Sequence, residues 1–258
     1  MNIYLFDSAN ATTLPKVSQE LEDAGFTGIL LPYGSSLGDY FTFIARSIDT
    51  NHKLKYIVAI RPYTISPQYL ASIVKSLNEI DNDRVWINFV AGTVNDYEQS
   101  LGGIIGDVND SSHFLERKQY LIDYVPVFIE YCKNIMKPPA ICVSGMSDEI
   151  FNLTEKYADY NMTSYDKHIH ENKFKKISKP KIITMCPFIR STLKEINVLK
   201  NQGNIPQDAV FADSNGLIDI LNSLKSDGIN DVMFHVNGSD EEYRRIVEFV
   251  KNNKHRIA

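Results

Sequence analysis

The sequence predicts an eight-stranded (β/α) barrel, on three observations. Short apolar runs alternate with amphipathic segments along the whole chain, eight such runs can be placed, and no shift in composition divides the chain. Alternation of this kind requires parallel strands joined by helical crossovers, and eight units closing on themselves give a TIM barrel. The first strand is Ile3–Phe6, followed by a helix over Leu14–Ala24 that Gly25 can end in left-handed geometry. Gly28–Leu31 and a helix over Tyr40–Ile48 form the second unit. Tyr56–Ile60 is the third strand, and Ser66-Pro67 then supplies a cap and an N1 proline for a helix over Pro67–Ile80. Val85–Phe89 leads to a long helix over Phe114–Met136, and Ala140–Val143 to one over Ile150–Tyr157. Tyr160–Thr163 is the sixth strand, and the polar, lysine-rich stretch Asn161–Pro180 reads as a long loop. Lys181–Cys186 is the seventh. Two helices follow, Leu193–Lys200 and Leu217–Lys225, separated by the polar Gln202–Asp208, with Gly228 closing the second. Asp231–His235 and a helix over Glu241–Asn252 complete one domain, 1–258.

The composition is that of a globular protein: 258 residues, 43% apolar and 23% charged, enough to fill a core without staples. A formal charge of −5 argues against nucleic acid or an anionic membrane as partner. Apolar stretches such as Phe26–Pro32 fall short of the roughly 20 residues that span a bilayer. Cys132, Cys142 and Cys186 form no CxxC pair, so neither a disulfide framework nor a structural zinc site is expected. The first residues lack a secretory pattern, which makes a cytoplasmic protein the expectation. Walker, GxSxG and GxGxxG motifs are absent. His168-Ile169-His170-Glu171 has no third ligand at a diagnostic spacing, and no metal is expected.

In such a barrel the chemistry sits on the loops after the strands. Ser144-Gly145-Met146-Ser147 joins a strand to a helix, so its amides either hold an anion or simply cap the helix. Asn88 lies inside the apolar run Val85–Val90 and needs a partner, since an unsatisfied buried amide costs about 1–3 kcal/mol. Arg61 can grip a carboxylate or phosphate, or pair with an acid of the barrel wall. His235 at a strand end suits general acid–base work, with a structural histidine as the alternative. Cys186 reads as an inert buried thiol.

The runs Gly28–Gly34, Lys55–Pro62 with Ile65-Ser66-Pro67, and Asp83–Gly92 resemble the bacterial luciferase-like flavin monooxygenases, closest to their alkanesulfonate monooxygenase branch. The resemblance continues through Glu116–Tyr120, Ile141–Ser147 and Asp227–Phe234 in the family's order. It implies reduced FMN delivered by a separate flavin reductase, O2 as co-substrate, and a small organic molecule as substrate. It further implies flavin contacts from Ala59, Ile60, Asn88, Ala91, Thr93, Tyr120, Ser144, Gly145 and Met146; the residues remaining in the expected pocket make Arg61, His235 and Tyr33 the catalytic candidates. Pairing through the helices Tyr40–Ile48 and Pro67–Ile80 gives a homodimer. The catalytic groups of the sulfonate branch do not carry over: its cysteine corresponds to Leu37, the arginine and histidine of its seventh strand to Thr184 and Cys186, and its last tyrosine and histidine to Asn237 and Ser239. The insertion between the seventh and eighth strands is also reduced. Two other readings stay open: a deazaflavin-dependent oxidoreductase, and a non-catalytic flavin-binding or subunit-type protein.

Overall fold

A computed structural model describes residues 1–7, 10, 12–33, 38–92, 111–165, 177–201, 205–236 and 239–257. The strands are β1 (Asn2–Phe6), β2 (Gly28–Leu31), β3 (Lys55–Ile60), β4 (Val85–Phe89), β5 (Ile141–Ser144), β6 (Tyr160–Ser164), β7 (Lys181–Ile189), β8 (Ala209–Ala212) and β9 (Asp231–His235). The helices are α1 (Leu14–Ala24), α2 (Tyr40–Ser47), α3 (Pro67–Ile80), α4 (Ser111–Cys132), α5 (Asp148–Tyr157), α6 (Leu193–Asn201), α7 (Ser214–Ser226) and α8 (Asp240–Ile257). Parallel pairing runs from β1 through β7 in order, then to β9 and back to β1, which closes an eight-stranded TIM barrel.

Each expected strand is present. The ninth, β8, was not expected: it pairs with Cys186–Ile189, the part of β7 that continues past β9. The seventh strand was expected to end at Cys186, and it runs on through Pro187 to Ile189. The amides of Cys186 and Arg190 donate to Asp208 and Ala212, so the alternate position of Pro187 needs no donor toward β8. Helix α4 ends at Cys132 rather than Met136; turns at Lys133 and Ile135 follow, ahead of the helix-incompatible Pro138-Pro139.

Side-chain alternation divides the apolar residues between two layers. Inside the barrel, Tyr4, Leu30, Ile57, Trp86, Cys142, Met162, Ile182 and Met233 form one cluster, with Trp86 stacked on Tyr160 at 5.1 Å. Tyr4 donates to Asp231 at 3.0 Å in the same interior. Gly28 is required here, because a Cβ would lie 2.7 Å from the Lys55 carbonyl oxygen and 2.9 Å from the Tyr4 ring. The other faces of the strands pack against the helices, through residues such as Ile29, Val58, Ile87 and Val143. Arg190, after β7, forms a buried ion pair with Glu242 of α8.

At the N-terminal end of the barrel, Glu22 of α1 accepts from the amides of His52, Lys53 and Leu54, the last two at 2.7 and 2.9 Å. Burial opposes ionisation of this carboxyl, but the three amides outweigh it and hold the pKa below 4.5. The carboxylate therefore contributes stability above that pH and loses it as pH falls through the lower folded-state value. Glu22→Gln is expected to lower the urea midpoint at about pH 7 and to narrow its gap from the wild type at about pH 3. Equal gaps at both pH values would contradict the clamp.

Candidate active site

The inner layer changes character toward the C-terminal mouth. Large side chains fill the barrel below, whereas the last inward positions are small or polar: Ala59, Asn88, Ser144, Ser164 and Thr184. Together with Phe6, Tyr33, Arg61 and His235 they surround a cavity of about 400 Å³, whose floor includes Leu30, Met162 and Met233. This is where TIM barrels carry chemistry, and the volume is in the range of small-molecule sites.

Asn88 of β4 finds its partners on β5 and, one strand further, β6: its carbonyl oxygen accepts from the Ser144 hydroxyl at 2.9 Å, and its amide faces the Met162 sulfur at 3.5 Å. Two strand ends are thereby locked at the rim. Gly145 follows at φ +139°, a conformation suited to glycine, and its amide donates to the Met162 carbonyl at 3.1 Å. Its carbonyl accepts from Asn161, which also bonds Val143, so β5 and β6 fix the loop from both sides. The hydroxyl of Thr163, among the lining residues, is buried and has no hydrogen-bond partner among the described residues.

Arg61 directly follows β3 and lies over the Tyr33 ring, 4.6 Å from its centroid. Gly92 presses its backbone against this guanidinium; a Cβ there would lie 2.5 Å from Nε. Across β1 and β9, the His235 ring meets the edge of Phe6 at 6.2 Å and lies 3.2 Å from the Asp208 carboxylate.

Of the residues singled out in the sequence, Arg61, His235, Tyr33, Ala59, Asn88, Ser144, Gly145 and Met146 thus come together around one cavity. Ile60, Ala91 and Tyr120 are not among its lining. Ile60 points to the opposite side of β3 from Ala59, into the barrel–helix layer. The Ala91 carbonyl accepts from Tyr63 at 3.4 Å. Tyr120 is 39% exposed on α4, with Tyr124 as its ring neighbour. Thr93 lies outside the described residues, as do Leu37, His168, His170, Glu171 and Asn237. Among the described residues there is no metal-binding cluster, and no helix is long and apolar enough to cross a membrane.

The start of α5 is more acidic than an anion site requires. Ser147 caps the helix, and Asp148 and Glu149 occupy its first turn. Glu149 accepts from its own backbone amide, from Ser147 and from Lys118 of α4, which lies 3.1 Å away, and these contacts bring its pKa down to about 2. An anion drawn to Lys118 would have to displace Glu149 from it.

No family model matches the chain. Among solved structures, it superposes on the EDTA monooxygenase of Chelativorans sp. BNC1 with a TM-score of 0.74 at 9% identity, covering 98% of this chain and 93% of that one. A riboflavin lyase holding modified FMN and riboflavin matches with a TM-score of 0.75 at 10% identity, over 99% and 92% of the two chains. The coenzyme F420-dependent tetrahydromethanopterin reductase of Methanopyrus kandleri matches at 0.68 and 15%, over 97% and 96%. The chain shares the TIM-barrel fold of these structures. At these identities it is the backbone that is shared. Thr184 and Ser164 line the cavity, and Asp208 stands behind His235; the sequence reading did not propose these three for the site. Asp208 had been placed at the end of a polar interruption; its signal was the apolar run Ala209–Ala212 directly after it, short enough to pass unnoticed as a strand.

Proposed function

We propose that the chain is a flavin-dependent monooxygenase that takes reduced FMN from a separate reductase, uses O2 as co-substrate and oxidises a small organic molecule. The observation that carries this reading is the cavity at the mouth of a luciferase-like barrel, kept open by small side chains where the rest of the inner layer is bulky. A flat ring fits such a site, because Ala59 and Gly145 permit close approach of backbone. Ala59, Asn88, Ser144, Gly145 and Met146 would hold the ring and its chain. Bound reduced FMN would supply the electrons for oxygen activation, while the protein supplies position and exclusion of water.

The chain's own groups then have distinct roles. Arg61, kept in place by Tyr33 and the Gly92 backbone, presents positive charge to an anionic part of the substrate. Tyr33 forms part of the apolar wall. His235 takes or returns a proton at the rim. The mixed lining favours a substrate larger or less charged than an alkanesulfonate. Two copies would pair through α2 and α3, where Tyr69 and Ile80 are exposed.

The test is anaerobic titration of the full chain with pre-reduced FMN, followed by an oxygen pulse. Saturable binding and a delayed return of oxidised-flavin absorbance, relative to free FMN, are expected. Binding without delay would favour the flavin-binding subunit reading. Binding of reduced deazaflavin alone would favour hydride transfer, which the F420-dependent structural match makes the second reading.

A further inference from the structure

The strand that the barrel does not need brings a carboxylate to the rim. β8 lies along the outer half of β7, and the Cys186 amide donates to the Asp208 carbonyl at 3.0 Å, which anchors Asp208 beside the end of β9. The Asp208 side chain is almost fully buried, and Oδ1 stands 3.2 Å from Nε2 of His235. Thr184, from β7, also favours the ionised form of this carboxylate. His235 lines the cavity, and its Nε2 is buried beside Oδ1 without meeting hydrogen-bond geometry, so Asp208 acts on it as a close charge.

We propose that Asp208 is a positioning residue that holds His235 in the Nε2–H tautomer and leaves Nδ1 as the proton acceptor facing the cavity ligand. A carboxylate charge 3.2 Å from the buried Nε2 repels a lone pair there and attracts an N–H, so the neutral ring carries its proton on Nε2 and the lone pair falls on Nδ1. When a bound ligand gives a proton to Nδ1, the imidazolium that forms is stabilised by Asp208; the same proton returns to product or water, and the ring is restored. The electrostatics agree. Burial lowers the His235 pKa below 6.5 while Asp208 opposes the shift, so the ring is neutral, and available as a base, near pH 7. Burial raises the Asp208 pKa, with His235 and Thr184 opposing. Asp208 is the charged group acting on this ring; Phe6 from β1 and Thr184 from β7 are neutral. The inference rests on the cavity being the functional site, and its test requires no flavin.

The experiment is a two-bond ¹H–¹⁵N correlation spectrum of the full chain labelled at histidine nitrogens, at about pH 7, with His235→Gln used to assign the signals. The wild type is expected to show a single Nε2–H pattern for His235. Asp208→Asn is expected to lose that pattern and to titrate at lower pH, because the group that favours the imidazolium is gone. A wild-type Nδ1–H pattern, tautomer averaging in the wild type, or an Asp208→Asn spectrum and titration unchanged from the wild type would each overturn the proposal. The wild-type spectrum decides even if the variant does not fold. Failure of the flavin reading appears separately, as absence of binding in the titration with reduced FMN.

Discussion

Arg84→Ala is expected to destabilise the fold by about 3 kcal/mol or more while leaving flavin affinity of the folded protein unchanged. Arg84 is 3% exposed and stands just ahead of β4, at the end of the barrel away from the cavity. Its Nε donates to the Leu54 carbonyl at 2.7 Å, and Nη1 donates to the Asn51 carbonyl at 3.2 Å and to Asp81 at 2.8 Å. Nη2 donates to the Asn51 side chain, whose amide in turn donates to the Tyr56 hydroxyl at 2.7 Å. The guanidinium also lies 5.7 Å from the centroid of the Tyr56 ring. Truncation would strand several buried acceptors at once, and each stranded group costs about 1–3 kcal/mol. Urea unfolding followed by circular dichroism measures the loss. A change within about 0.5 kcal/mol, the usual range for an inconsequential surface substitution, would contradict this account of the barrel floor.

The second large effect belongs to the opposite end. Ala59 sits on the inner face of β3, in register with Asn88, and its methyl is one of the small groups that leave the cavity open. Ala59→Leu adds three carbons where the ring is proposed to lie. Affinity for reduced FMN is expected to fall by at least about tenfold, equivalent to about 1.4 kcal/mol. The added side chain enters open space rather than a packed core, so the melting temperature should move by only a few degrees, as expected for a change of about 1 kcal/mol or less. The Arg84 and Ala59 variants therefore separate the two ends: one loses stability and keeps binding, the other does the reverse.

The barrel was legible because its strands and helices differ in period. Leu14–Ala24 and Pro67–Ile80 have the same bounds in sequence and structure, since a proline opens each and a glycine or a polar turn closes it. β8 was not legible, because four residues carry little periodicity and their partner is an extension of β7 that begins with Cys186-Pro187. Much of the site could be read from strand ends, where alternation separates Ala59, facing the cavity, from Ile60, facing the helices. Asp208 could not, since its role depends on β8 bringing it to His235 from 27 residues away in the chain. Lys118 and Glu149 escaped for a similar reason. Their 3.1 Å contact depends on how α4 packs beside α5, which no local pattern records.

The central claim is that the cavity at the barrel mouth holds reduced flavin. Equilibrium titration of the wild type and Ala59→Leu with pre-reduced FMN under anaerobic conditions, read by flavin fluorescence or absorbance, tests it most directly. Saturable binding by the wild type, weakened at least about tenfold in the folded variant, is the expected result. A wild type that does not bind, or a variant that binds equally well, would place the flavin elsewhere or remove it from the account.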